Sequence, residues 1–190
     1  MQSKGNVATS QGDVLNNAAQ SGLHWGAAGM VKEDRYWLTN SVHRVRRKFF
    51  NTNFYTFGVD WTEEKVFIWI KTRNYGLFNL RFGEKTFYQR GNFALLTGNG
   101  TVIVNPWADA TNPMIAPFDQ KFFLRLQVGA GGLDNYFGDN LNDKKPWKNG
   151  QERTTAMSNF ATRSDTWLPT WGAGTDRGLQ IESVKMWQKC

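Results

Sequence analysis

The chain has 190 residues, enough for one domain with a hydrophobic core and too few to require two. Aromatic residues make up 15% of the sequence and the formal net charge is +7. The single cysteine, Cys190, excludes an internal disulfide, and no apolar stretch approaches the length of a membrane span or the core of a signal peptide. We therefore expect a soluble protein that is held together by packing and has no membrane partner.

The first half of the chain predicts short strands separated by polar segments. Residues 1–22 are rich in Gly, Asn, Gln and Ser and predict a loop, with a strand end at residues 1–3. Residues 23–26 predict a short strand that ends at a glycine. Residues 53–61 alternate between two faces, and after a three-residue turn residues 65–71 follow as the predicted hairpin partner. This hairpin is the strongest local prediction in the chain.

The second half adds further strands and one helix. Residues 75–82 and 121–128 predict strands, and residues 178–187 predict a last strand with a bulge, because their apolar positions change phase. Residues 91–116 contain most of the turn formers and predict a long irregular segment of the kind that often binds a ligand. Residues 153–164 predict a short helix. The pattern is all-β with long connections, which favours a single β-sandwich domain.

The aromatic content leaves two ligand classes open, because flat rings stack on sugars and on nucleic-acid bases and also fill cores. The densest basic run, residues 43–48, predicts a solvated loop, and nucleic-acid binding is the weaker alternative. His24 and His43 have no cysteine or carboxylate at metal-ligand spacing, so we expect no metal site and no cofactor, with structural calcium left open. Four tryptophans on predicted strands or strand ends are expected in the core: Trp61, Trp69, Trp171 and Trp187.

Several short segments, in order, resemble glycoside hydrolase family 16, in its eukaryotic laminarinase and β-1,3-glucan-recognition-protein branch. They are residues 23–26 (LHWG), 54–63 (FYTFGVDWTE), 105–108 (NPWA), 116–122 (APFDQKF), 128–132 (VGAGG), 145–147 (KPW), 167–171 (WLPTW) and 179–187 (LQIESVKMW). The resemblance implies a concanavalin-like jelly-roll β-sandwich with a concave glycan-binding face. Residues 1–190 would form the C-terminal two-thirds of one such domain, incomplete on its N-terminal side.

The resemblance also bears on catalysis. A retaining glycosidase needs two carboxyl groups about 5–5.5 Å apart, one as nucleophile and one as acid and base. Aligned with the family's Met-Glu-Ser-Arg-Gly-Asn, Gln2 falls on the acid/base glutamate, and the nucleophile would lie upstream of Met1. A glutamine amide cannot exchange a proton at useful pH. Three explanations remain open: a fragment of an active enzyme, a non-catalytic recognition protein, or an engineered change at Gln2.

Six further residues are candidates for substrate binding by the same resemblance: His24, Trp25, Asn105, Trp107, Arg125 and Gln127. His24 would lie near the acid/base position. Trp25 would lie under a sugar ring or in the core, and Trp107 would stack on sugar or pack within its own loop. Arg125 and Gln127 belong to a mixed polar and aromatic strand face that would line the concave cleft.

The family activity is endo-hydrolysis of β-1,3-glucan of the laminarin type with retention of configuration. The alternative is a non-catalytic β-1,3-glucan-binding lectin, and a basic nucleic-acid-binding domain is a third, weaker hypothesis. Members of the family are usually secreted. Because strands of the parent fold would be absent from this chain, we expect exposed sheet edges and core aromatics, and hence self-association or pairing with the missing strands.

Overall fold

A computed structural model describes residues 2–3, 17–27, 34–45, 49–96, 100–129, 132–133, 139 and 145–189. These residues form two compact units, the first running to Phe122 and the second beginning at Phe123. The all-β class is confirmed: the strands form two antiparallel sheets, as in a β-sandwich, with few short helices, and neither sheet closes into a barrel. One domain over residues 1–190 stays a prediction.

The first sheet has the order β1-β2-β3, with β1 at Gln2–Ser3, β2 at Ala18–Ser21 and β3 at Ser41–Arg44. The strand end at residues 1–3 is confirmed. The strand expected at residues 23–26 is wrong, because the β2–β3 ladder ends at Ser21. Beyond it the Leu23 N–H donates to the Thr39 hydroxyl, and the Trp25 carbonyl accepts from the Arg35 N–H. The prediction of a basic loop at residues 43–48 is also corrected in part. Residues 43 and 44 are the last two residues of β3, and residues 46–48 lie outside the described residues.

The second sheet is the predicted hairpin extended by a third strand. It contains β4 at Phe57–Trp61, β5 at Lys65–Ile70 and β6 at Thr72–Arg81, in that order. The antiparallel register of β4 and β5, from Trp61 opposite Val66 to Phe57 opposite Ile70, confirms the hairpin. Alternate residues of β5 are buried, as a half-buried strand requires. Lys71, with φ of 66°, turns the chain between β5 and β6.

The core of the first unit is formed by β6, residues 25–27, the short helix after β6, and residues 93–118. A short helix, α1 at Phe87–Gly91, begins with a capping box in which Thr86 and Gln89 each bond the other's backbone N–H. Phe87 is fully buried at the centre of the cluster. The irregular segment predicted at residues 91–116 forms an important part of this core. The buried members are Trp25, Ala27, Leu80, Phe87, Phe93, Ile103, Ile115 and Phe118.

The second unit is helical where a helix was predicted. Helix α2 spans Arg153–Thr162, with Glu152 as N-cap, and α3 follows at Ser164–Trp167. Single 3₁₀ turns lie at Leu168–Thr170 and Gly174–Arg177, and a third in the first unit is at Tyr36–Leu38.

The strands predicted at residues 121–128 and 178–187 are not formed. A strand requires a hydrogen-bonded neighbour, and among the described residues none pairs with these two segments. Their alternating apolar side chains are therefore exposed, for example Leu124 at 60% and Met186 at 83%. The prediction that four tryptophans lie in the core is also wrong: Trp61, Trp171 and Trp187 are exposed and Trp69 is half-buried.

Candidate functional site

The segment that follows β2 is tied to a turn by one buried hydroxyl. Thr39, 6% exposed, accepts a hydrogen bond from the backbone N–H of Leu23 at 2.9 Å. The same hydroxyl lies 3.1 Å from the carbonyl oxygens of Leu23 and Tyr36, which can accept its proton. The residue after Leu23 is therefore held against the 3₁₀ turn Tyr36–Leu38 rather than left on a free loop.

His24 is oriented by two contacts with that turn. Its Nδ1 lies 2.5 Å from Oδ2 of Asp34, and its ring stacks on Tyr36 with centroids 5.1 Å apart and planes inclined by 14°. The other carboxylate oxygen of Asp34 accepts a hydrogen bond from the Tyr36 N–H at 2.9 Å. Because Nδ1 faces Asp34 and the side chain is 66% exposed, Nε2 is the imidazole atom available to a ligand.

Arg35 anchors the 3₁₀ turn Tyr36–Leu38 on the core. Its backbone N–H donates to the carbonyl of Trp25 at 2.8 Å, and its Nε donates to the carbonyl of Gly91 at 2.7 Å. Its guanidinium group lies 4.5 Å from the centre of the Phe93 ring. The two neighbouring rings, Tyr36 at 38% and Trp37 at 58% exposure, are thus presented from a fixed backbone.

We call His24, Asp34, Tyr36 and Trp37 the His24 cluster. It combines aromatic surface with an imidazole nitrogen of fixed direction. Flat rings offer apolar surface at a small cost in conformational entropy, and the imidazole can exchange hydrogen bonds with hydroxyl groups. This combination suits a neutral, hydroxyl-rich ligand better than a charged one.

Gln2 lies on the strand next to the one that leads into His24. It pairs with Gln20 in the antiparallel register of β1 and β2, so the start of β1 lies toward the Ser21 end of β2, the end that continues to His24. The side chain of Gln2 lies outside what the structure describes. The role of Gln2 and its placement near His24 stay predictions.

Trp25, Asn105 and Trp107 serve packing in this structure. Trp25 is 5% exposed and its indole N–H donates to the carbonyl of Phe87 at 3.0 Å, which is the core role that the sequence left open. Trp107 is half-buried and packs against the same core. Oδ1 of Asn105 accepts a hydrogen bond from the Trp107 N–H at 3.0 Å, which fixes the local turn. Sugar binding by these residues stays a prediction.

Arg125 and Gln127 belong to the second unit and are exposed on the segment without a strand. The guanidinium of Arg125 lies 5.6 Å from the centre of the Phe123 ring. Their place in a cleft stays a prediction. Across the described residues, no group of three or more His, Cys, Asp or Glu side chains could hold a metal ion.

Sequence reasoning missed Asp34, Tyr36 and Trp37. His24 and Asp34 are ten positions apart, which matches no motif spacing, and their contact depends on the buried Thr39 that ties the turn to Leu23. The sequence did contain one signal for this site: the adjacent aromatic residues Tyr36 and Trp37 follow closely after Asp34. They lie on no predicted strand or helix, so they have little core to fill.

Comparison with known proteins gives several relatives that are named for binding β-1,3-glucan and one that is named for binding Gram-negative bacteria. The chain is 29% identical to a β-1,3-glucan-binding protein of Penaeus monodon over 93% of this chain and 45% of that protein. It is 25% identical to β-1,3-glucan-binding protein 1 of Manduca sexta over 85% of this chain and 30% of the relative. It is 30% identical to Gram-negative bacteria-binding protein 1 of Drosophila melanogaster over 72% of this chain and 24% of the relative. The chain spans less than half the length of these relatives.

No protein-family model and no solved structure matches the chain. Among the helices that the described ranges contain, none is long and apolar enough to cross a membrane. The fold and the relatives together define an all-β chain similar to β-glucan-recognition proteins.

Proposed function

We propose that this chain binds β-1,3-glucan without cleaving it, and that the His24 cluster carries the binding. The supporting observation is an exposed imidazole, fixed at Nδ1 by Asp34, beside the exposed rings of Tyr36 and Trp37. Several curated relatives are named for β-1,3-glucan binding, and one of them aligns over 93% of the chain.

The mechanism of binding follows from the fixed backbone. A glucan presents apolar C–H faces that pack on Tyr36 and Trp37, and hydroxyl groups that pair with Nε2 of His24. Because Thr39 and Arg35 already hold the turn, little conformational freedom is lost when glucan binds, and more of the contact energy is kept as affinity.

A second candidate function is hydrolysis, as in the laminarinase branch of glycoside hydrolase family 16. It is supported by the ordered short segments that resemble that family. Against it, Gln2 aligns with the acid/base glutamate and its amide cannot transfer a proton. We therefore expect the chain to bind laminarin without releasing reducing sugar, and we propose an extracellular location by the same resemblance.

The test is calorimetric titration of the chain with laminarin, with the α-glucan pullulan as specificity control. We expect binding to laminarin only, with about a tenfold loss, near 1.4 kcal/mol, in Tyr36→Ala. Tyr75→Ala removes another exposed tyrosine, on β6, and should leave the laminarin affinity unchanged. Unaltered affinity in Tyr36→Ala would contradict the site, absence of laminarin binding would contradict the function, and release of reducing sugar would favour the hydrolase.

A further inference from the structure

The second sheet has an outer face that differs from its buried one. Residues 66, 68 and 70 of β5 turn their side chains into the core, so the alternate residues Lys65, Phe67 and Trp69 lie on the opposite face. Asp60 of β4 pairs with Phe67 in the register and shares this face. We call it the basic aromatic face; its members are Lys65, Phe67, Trp69, Asp60, Arg73 and Arg81.

The Trp69 ring lies flat on the sheet because its neighbour is a glycine. A Cβ atom on Gly58 would stand 2.0, 2.1 and 2.7 Å from Cε2, Cζ2 and Cδ2 of Trp69, distances that place it over the face of the indole. Phe67 reaches in the same way onto Gly76, where a Cβ would stand 2.6 Å from the ring. One face of the indole is therefore against the backbone, and the other is directed away from the sheet.

No other ring covers this platform among the described residues: none of their aromatic pairs includes Trp69 or Phe67. Trp69 is held in plane by its own sheet, since its Nε1 donates to Oδ1 of Asp60 at 3.4 Å. A half-buried tryptophan with a fixed orientation and no aromatic ring paired with it among the described residues has the geometry of a stacking platform.

Positive charge surrounds the platform. Arg73, with a side chain 70% exposed, pairs with Asp60 at 2.9 Å. Lys65 and Arg81 lie directly opposite each other in the register of β5 and β6, and like charges in that position destabilise a sheet. Within the part of the chain that the structure describes, neither Lys65 nor Arg81 forms an ion pair. Three cations thus share one carboxylate, and an anion between Lys65 and Arg81 would relieve their repulsion.

We propose that the basic aromatic face is a second glycan-binding site, which takes an acidic polysaccharide: a sugar ring stacks on Trp69 while its carboxylate or sulfate group lies between Lys65 and Arg81. Asp60, next to the ring, accepts hydrogen bonds from sugar hydroxyls. Arg73 and Trp69 bond to the carboxylate of Asp60 and lower its pKa, so it stays ionised in neutral solution. The site shares no residue with the His24 cluster.

The test compares the full chain with the double variant Lys65→Gln/Arg81→Gln, titrated with alginate for uronate groups and dextran sulfate for sulfate groups. We expect binding of at least one acidic polymer that weakens with added salt, and about a tenfold loss in the double variant. Lys121→Gln/Lys185→Gln removes the same charge from two exposed lysines that are not members of this face, and it should retain the affinity. Trp69→Leu should also weaken binding, by loss of the platform.

The outcomes separate this site from the proposed glucan site. The double variant should keep its full affinity for laminarin, and Tyr36→Ala should keep its full affinity for the acidic polymer. Equal losses in Lys65→Gln/Arg81→Gln and in the control double variant would overturn the proposal, because they would indicate non-specific charge. Tighter binding of single-stranded DNA than of either acidic polysaccharide would overturn it as well. Since both double variants alter only exposed or half-exposed polar side chains, the result does not depend on how Trp69→Leu folds.

Discussion

Thr39→Val is the substitution that most directly connects the fold to the glucan site. Valine keeps the size of the side chain but removes the hydroxyl that bonds to the Leu23 N–H at 2.9 Å and to the carbonyls of Leu23 and Tyr36. Because Leu23 is only partly buried, the amide left without an acceptor costs about 1–2 kcal/mol, in the lower half of the usual range. At a typical slope for urea, the unfolding midpoint falls by about 0.5–1 M.

Thr39→Val should also weaken glucan binding, although Thr39 itself is not expected to contact glucan. Without the hydroxyl, the segment that carries His24 keeps only the Arg35–Trp25 backbone bond and the His24–Asp34 contact to the turn that carries Tyr36, so the stacked pair at 5.1 Å loosens. We expect a several-fold loss of laminarin affinity in conditions where the variant is still folded, measured by calorimetry beside urea unfolding. Thr39→Ser keeps the hydroxyl and should retain the affinity. A Thr39→Val variant with unchanged stability and unchanged affinity would refute the reasoning.

Three further predictions follow from other parts of the chain. The pKa of Asp60 is lowered, first by the hydrogen bond from Arg73, so its carboxylate stabilises the folded state above the ordinary carboxyl pKa, and this stabilisation is lost as pH falls through the lowered pKa. In urea titrations, Asp60→Asn should cost less than about 1 kcal/mol at pH 7, since Arg73 is largely exposed, and the cost should shrink as pH falls toward the lowered pKa. Glu152 caps α2 by accepting a hydrogen bond from the Thr155 N–H, and its pKa is lowered to about 2, first by the hydrogen bond from the Thr154 hydroxyl. Glu152→Ala should therefore lower the helical circular dichroism signal at neutral pH, whereas Glu152→Asn should largely preserve it. The exposed apolar side chains of residues 121–128 and 178–187 should make the chain associate, so sedimentation should show mass rising with concentration; a stable monomer with a sharp melt would argue against it.

The sequence predicts the elements whose signal is local. The β4–β5 hairpin follows from two-residue alternation around a polar turn, and α2 lies within the short helix predicted at residues 153–164. The capping box of Thr86 and Gln89 was present as a pattern and would have indicated α1. Residues 121–128 alternate just as well, yet they form no strand, because alternation specifies a face and not a partner.

The candidate site is less accessible to sequence reasoning, because its contacts are not local. His24 was identified by resemblance, but its orientation depends on Asp34 and on a threonine hydroxyl sixteen residues from Leu23. Trp25 is the next residue in sequence, yet it lies in the core while His24 is exposed. Because this segment is irregular, its sequence pattern does not show which of two adjacent side chains is buried. Trp69 was expected in the core because it lies on an apolar strand, but its side chain belongs to the alternate face, over Gly58.

The location of glucan binding can be measured with the two imidazoles of the chain. His24 and His43 are its only histidines, and His43 lies on β3, where burial and nearby Lys71 lower its pKa. Proton NMR of the imidazole C–H signals, assigned with His43→Gln, should show the His24 signals moving on titration with laminarin while those of His43 stay in place. Laminarin binding that leaves the His24 signals unchanged, or that moves only those of His43, would contradict the account.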